Sequence, residues 1–167
     1  IEILGNLDKP HGISFEGGFI YVAETNKVVR FPYNQQNFSA GPAEILFSLP
    51  GGGNHSTRTI KIREGKLYTS IGSSCEVCIE ETPQRAAILV SDLDGKNLKV
   101  FAKGLRNTVF FNFDSNGNIW GADMGRDFLG DNLPPDEVNI IEEGKDYGWP
   151  YCFGDKIRDS KFMSNQN

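Results

Sequence analysis

The stretch GGGNHSTRT, residues 51–59, holds one of only two histidines in the 167-residue chain, His55. An imidazole titrates near neutrality, so it can take a proton from a hydroxyl at physiological pH. Gly51, Gly52 and Gly53 let the backbone bend, which would turn the His55 ring toward a cleft rather than beneath the chain. A solvated histidine on a flexible turn is the competing reading. The other histidine, His11, precedes a strand-like run with no comparable context and reads as structural. Downstream, GLRN presents Arg106, whose planar fork can grip a carboxylate bidentately, beside Asn107, a neutral donor and acceptor. An exposed Arg-Asn turn is the plainer alternative there. The segment ADMGRDFLGDNLPPDE crowds Asp123, Asp127, Asp131, Asp136 and Glu137 between glycines and prolines. Carboxylate and carbonyl oxygens are what a hard cation such as calcium selects, although EF-hand spacing is absent and a solvated acidic loop would read alike. SSCEVC sets Cys75 and Cys78 in a CxxC. Ile79, not His, follows it, which argues against c-type haem attachment, and zinc would need two more ligands from Cys152 and the histidines.

The elements that must position these residues read as short strands. Hydrophobic content is 38% and charged content 23%, with 19 Gly, 12 Phe and 5 Tyr, which suits strands and tight turns in a folded domain. Net charge is −5 and no basic cluster is present, so nucleic acid is an unfavourable partner. No apolar run is long enough to span a bilayer, and IEILGNLDKP lacks the basic start and apolar centre of a signal peptide.

A repeat organises the chain. EGGFIYVAE, REGKLYTSI and SNGNIWGAD each pair a Gly-containing turn with an aromatic-bearing strand. Their spacing of about 45–50 residues is that of a four-stranded propeller blade. Gly17-Gly18, Glu64-Gly65, Asp94-Gly95 and Asn116-Gly117 sit where hairpin turns belong. The fold expected is an all-β propeller with about three blades, near residues 1–50, 51–104 and 105–167, and Phe19–Ala23, Lys66–Ser70 and Asn118–Ala122 as equivalent strands. A β-sandwich with irregular hairpins is the alternative. Three blades leave open edges, so the expectation is a fragment, a pair of copies, or one half closed by another chain.

GGGNHSTRTI, SSCEVC with Arg85-Ala86-Ala87-Ile88, GLRNTVFF, DMGRDFLGDNLPPDEVN and YGWPYC follow one another in that order. Together they make the chain, from about His11 to Phe153, resemble the soluble pyrroloquinoline-quinone-dependent sugar dehydrogenases, with the L-sorbosone dehydrogenase type the nearest branch. The resemblance implies a six-bladed propeller with the quinone over its central channel and oxidation of an aldose or sugar-derived aldehyde, with electrons passing to an external acceptor. It implies His55 as the general base that accompanies hydride transfer, and Arg106 and Asn107 as cofactor contacts. Calcium would be held by main-chain carbonyls of Gly125 and Arg126, where arginine replaces the family's proline, with Asp136 nearby. A Cys75–Cys78 disulfide is implied by a similar pair in the sorbosone branch and would fit a periplasmic or extracellular location. Cys152 would be free or paired outside the chain, and Tyr147, Gly148 and Trp149 would pack a blade edge. Two rivals differ in class: a calcium-dependent lactone hydrolase, which would not need the His55/Arg106 pairing, and a non-catalytic propeller that binds peptide or sugar.

Overall fold

Paired glycine turns and β-rich runs dictate antiparallel sheets, and in the computed structural model, which describes residues 1–163, the regular secondary structure is antiparallel strand apart from one 3-10 turn. The first sheet contains β1 (Gly12–Glu16), β2 (Phe19–Ala23), β3 (Lys27–Asn34), β4 (Ser39–Ala40) and β5 (Glu44–Ser48). The second orders β6 (Ile60–Arg63), β7 (Lys66–Ile71), β8 (Ala87–Asp92) and β9 (Lys99–Lys103). The third orders β10 (Thr108–Phe113), β11 (Ile119–Asp123) and β12 (Glu137–Ile141). A small hairpin, β13 (Cys152–Phe153) with β14 (Ile157–Arg158), and a 3-10 turn at Ser160–Phe162 follow. The three strands expected to be equivalent are each the second strand of a sheet, the last starting one residue later, at Ile119. These sheets lie within segments 1–50, 51–104 and 105–167; residues 164–167 of the last segment fall outside the described residues.

Local chemistry explains the hairpins. Gly17 and Gly18 have φ of 55° and 79°, and Glu64 and Gly65 have 50° and 72°. Positive φ at both central residues gives the turn whose twist matches that of the flanking strands. Strand β8, AILVSD, shows why four successive residues can be apolar. Ala87 and Leu89 join Tyr21, Val28, Ile60 and Leu67 in a core between the first two sheets. Ile88 points the other way, into a core with Leu105, Phe111, Ile119 and Ile141 of the third. The second sheet is therefore packed on both faces, which period-2 side-chain alternation requires to be apolar on both. On the first sheet, Leu4 and Leu7 pack against Ile20, Val22, Val29 and Phe31.

Successive antiparallel strands put alternate connections at opposite ends of the sheets. The connections 24–26, 49–59, 72–86, 104–107 and 124–136 share one end. Backbone bonds stitch them together: Leu49 N–H to Asn26 O, Asn54 N–H to Ser74 O, Ser73 N–H to Arg106 O and Met124 N–H to Asn107 O. Every candidate residue singled out above, apart from Cys152, lies on or beside these connections, His11 included, since its N–H donates to Ala23 O where the 24–26 connection begins. Among the described residues no helix is long and apolar enough to cross a membrane.

Candidate functional site

His55 is half-buried on the 49–59 connection, with Nδ1 at 2.9 Å from both the carbonyl and the hydroxyl oxygen of Ser73. The Ser73 hydroxyl donates its own proton to the Cys75 carbonyl at 2.8 Å, so both Ser73 oxygens face Nδ1 as acceptors. That arrangement puts the ring proton on Nδ1 and leaves Nε2 as the lone-pair nitrogen. Burial lowers the pKa of His55 below the ordinary imidazole value; the Ser73 carbonyl acts in the opposite direction, and the nearby Arg106 charge adds to the lowering. A neutral ring with Nε2 unprotonated is the form a general base requires.

Two buried arginines hold the loop that carries it. Arg58 is fully buried and donates from Nη1 to the carbonyls of His55 (3.0 Å) and Thr57 (2.7 Å), and from Nη2 to that of Pro50 (3.0 Å). Arg85 donates to the carbonyls of Gly51 at 2.6 Å and Gly52 at 2.7 Å. Burial, helped by the Arg85 charge, pulls Arg58 down to about 10, so it remains a cation at neutral pH. Neither arginine forms an ion pair among the described residues. Main-chain carbonyls, of glycines in the case of Arg85, thus replace carboxylates as direct partners, and both arginines add positive potential to the site.

Arg106 and Asn107 open the third sheet and are buried. Asp123, at the end of β11, fixes their backbone: its oxygens accept from Arg106 N–H (2.9 Å), Asn107 N–H (2.9 Å) and the Thr108 hydroxyl (2.8 Å). Burial nevertheless pushes Asp123 up to about 6. The Arg106 guanidinium donates to Gly125 O at 2.7 Å and Met124 O at 3.3 Å, and pairs with Glu76 at 2.8 Å. His55 and Asn107 meet across Gly72, where an added Cβ would lie 2.6 Å from His55 Cβ and would also collide with the Asn107 amide oxygen. Glycine is required there to let the two side chains converge. His55, Arg106 and Asn107 therefore share one surface at one end of the sheets.

The acidic segment does not form a carboxylate cage. Asp123 is consumed by backbone donors, Asp136 Oδ1 accepts from Gly125 N–H at 2.9 Å, and Glu137 accepts from Gly154 N–H at 2.6 Å. Asp127 and Asp131 are exposed. Among the described residues the only three metal-ligating side chains gathered within ligand reach are Cys75, Cys78 and Glu80, and those two cysteines are joined in a disulfide. Arg126 pairs through its side chain with buried Asp159 at 2.6 Å, which holds the loop against the 3-10 turn. The Gly125 and Arg126 carbonyls are consecutive on this loop; the first accepts from Arg106, and the second has no hydrogen-bond partner among the described residues. Cys152 is a free thiol, and Tyr147 ties the following segment to β12 by donating to Ile140 O at 2.6 Å.

Sequence reasoning passed over Ser73, Glu76, Arg58 and Arg85, and took Asp123 for one carboxylate of an acidic cluster. Arg85 had a legible signal, since it directly precedes the apolar run AAILV, and Arg58 a weaker one, three residues after His55. Ser73 and Glu76 had none, because their roles depend on how two connections meet.

The TrAA12-like family model matches residues 3–166. An uncharacterized protein of Borreliella burgdorferi is 35% identical over 178 residues, covering 97% of this chain and 46% of that protein. Among solved structures, the family AA12 carbohydrate-active enzyme of Trichoderma reesei superimposes with a TM-score of 0.76 at 24% identity, over 86% of this chain and 44% of that one. The PQQ domain of pyranose dehydrogenase from Coprinopsis cinerea, in its holo form, gives 0.74 at 18% identity, over 90% and 56%. PQQ-bound aldose sugar dehydrogenase from Streptomyces coelicolor gives 0.65 at 22%, over 85% and 48%. The chain spans about half the length of these relatives.

Proposed function

The chain belongs to the TrAA12-like family, and on that premise we propose that it is part of a PQQ- and calcium-dependent oxidoreductase acting on an aldose or a sugar-derived aldehyde. The observation that carries this reading is the convergence of His55, with Nε2 unprotonated, on Arg106 and Asn107 across Gly72. The donor set suits a flat polyanion: Arg106 and Asn107 line the surface, while unpaired Arg58 and Arg85 make the ground beneath it positive. Gly125 and Arg126 carbonyls, on a loop braced by Asp136 and Asp159, would supply part of a calcium shell. When bound, the quinone with its calcium supplies the two-electron oxidant for the substrate carbon. His55 Nε2 takes the hydroxyl proton as hydride leaves that carbon, and Ser73 holds the ring in the competent tautomer. Closure of the sheets into a six-bladed ring, by further chain or by a second copy, and a periplasmic or extracellular setting belong to the same proposal.

The test is reconstitution. PQQ and calcium are added to a polypeptide of the relatives' full length that carries these residues, and quinone absorbance is followed as aldoses are introduced. Sugar-dependent bleaching is expected; lactone hydrolysis without PQQ would favour the hydrolase, and neither response would favour a binding module. The pH profile has a fixed sign. His55 works unprotonated and its pKa is lowered, so kcat/KM should hold as pH falls through the ordinary histidine range and decline only below it. An acid limb above pH ~6.5, the unperturbed histidine value, would contradict this.

A further inference from the structure

The Arg106 guanidinium already holds a carboxylate. Glu76, inside the CxxC, accepts from Arg106 Nη2 through Oε2 at 2.8 Å and from Arg106 Nε through its main-chain carbonyl at 3.1 Å. Its other carboxylate oxygen accepts from the Asp127 N–H. With Nη1 turned to the Met124 and Gly125 carbonyls, every nitrogen of the fork is engaged. The Cys75–Cys78 disulfide closes a short ring around Glu76, and Val77 at its apex is buried with its carbonyl accepting from Lys161 at 2.7 Å. The Glu76 side chain itself remains 28% exposed, against 5% for Arg106, so the carboxylate is the member of the pair with room to leave.

From this we propose that Glu76 sets the affinity of the site: it occupies on Arg106 the place of an acceptor group of the incoming ligand, and binding of a carboxylate-bearing quinone displaces it. This rests on the functional reading above. A guanidinium with four of its five N–H donors taken cannot form a new bidentate contact without giving one up, so the resting pair lowers apparent affinity by the fraction of molecules in which it is open. The disulfide ring fixes the glutamate near its release point, so the displaced carboxylate stays local and returns when the ligand leaves. The exchange is an ion-pair swap, with no net change in the number of carboxylates facing Arg106.

The experiment uses Glu76→Gln, which keeps the shape but removes the charge and leaves one acceptor oxygen where the carboxylate offered one to Arg106 and one to Asp127. Equilibrium dialysis of a polypeptide of the relatives' full length that carries these residues, against PQQ in calcium buffer, should show the variant binding about tenfold more tightly, as expected when a competing closed state is weakened. In the parent chain, saturation with PQQ should also speed hydrogen exchange at the Asp127 amide as Glu76 withdraws. Equal or weaker binding by the variant, with the amide unchanged on saturation, would overturn the assignment and leave Glu76 as a brace for Arg106. If neither form binds PQQ, the cofactor reading falls, and this proposal with it. A loss of binding caused by misfolding would show in the near-ultraviolet dichroism of Trp149 and Tyr147, and Glu76→Asp, which retains the charge on a shorter arm, then decides the sign.

Discussion

His55→Ala should lower turnover by about 10²–10⁴-fold while leaving fold and PQQ affinity close to those of the parent, the usual contribution of a positioned base. The asymmetry follows from what the side chain touches. His55 makes its hydrogen bonds through Nδ1 to Ser73 alone, and the loop around it is held independently by Arg58 and Arg85 through the carbonyls of Pro50, Gly51, Gly52 and His55. Those bonds are to main-chain atoms and survive the substitution. Only the proton acceptor is removed, so kcat should fall with little change in KM. His55→Gln, which restores a hydrogen bond to Ser73 but not basicity, should be as slow as the alanine variant. Measurements belong on a full-length polypeptide reconstituted with quinone and calcium. A variant with parental kcat on its best sugar would reduce His55 to a polar turn residue.

Much of this arrangement was legible because it depends on local chemistry. Mirror-image turns require φ > 0, so Gly17-Gly18 and Glu64-Gly65 announce their hairpins, and the aromatic strands after them fall into register as the second strand of each sheet. Sidedness was legible too, since antiparallel order alone sends His55, Arg85, Arg106 and Gly125 to the same end. What the sequence conceals is which polar groups find one another there. Five carboxylates close in sequence suggested ligands for a hard cation, yet Asp123, Asp136 and Glu137 accept from separate backbone donors while Asp127 and Asp131 are exposed, and the nearest charge on Arg106 comes from Glu76, thirty positions earlier. The short β4 and the β13–β14 hairpin also escaped, because two-residue strands leave no periodicity to read. The parallel bridge between Lys103 and Asp146 was equally invisible: it lays the segment after β12 along the edge of the second sheet rather than the third.

Asp123 is where that concealed logic should have its largest cost in stability. Its carboxylate satisfies the N–H groups of Arg106 and Asn107 and the hydroxyl of Thr108, all buried. Asp123→Ala leaves these three donors without a partner, each at about 1–3 kcal/mol. The opposing effect is relief of a buried charge, since burial pushes Asp123 up to about 6 and so penalises its ionised form at neutral pH. A single relieved charge recovers only part of the cost of three orphaned donors, and the balance should be a loss of about 2–4 kcal/mol. Asp123→Asn keeps one oxygen and turns an amide donor toward an existing donor, so it should fall between parent and alanine. Because the same carboxylate sets the direction in which Arg106 and Asn107 leave the backbone, both variants should also bind PQQ more weakly than the parent, even where the folded fraction is full. Denaturant midpoints at neutral pH together with dialysis against PQQ check the two effects separately. An Asp123→Ala chain with parental midpoint and parental affinity would mean that water replaces the carboxylate, and that Glu76 and the Met124 and Gly125 carbonyls suffice to hold Arg106 in place.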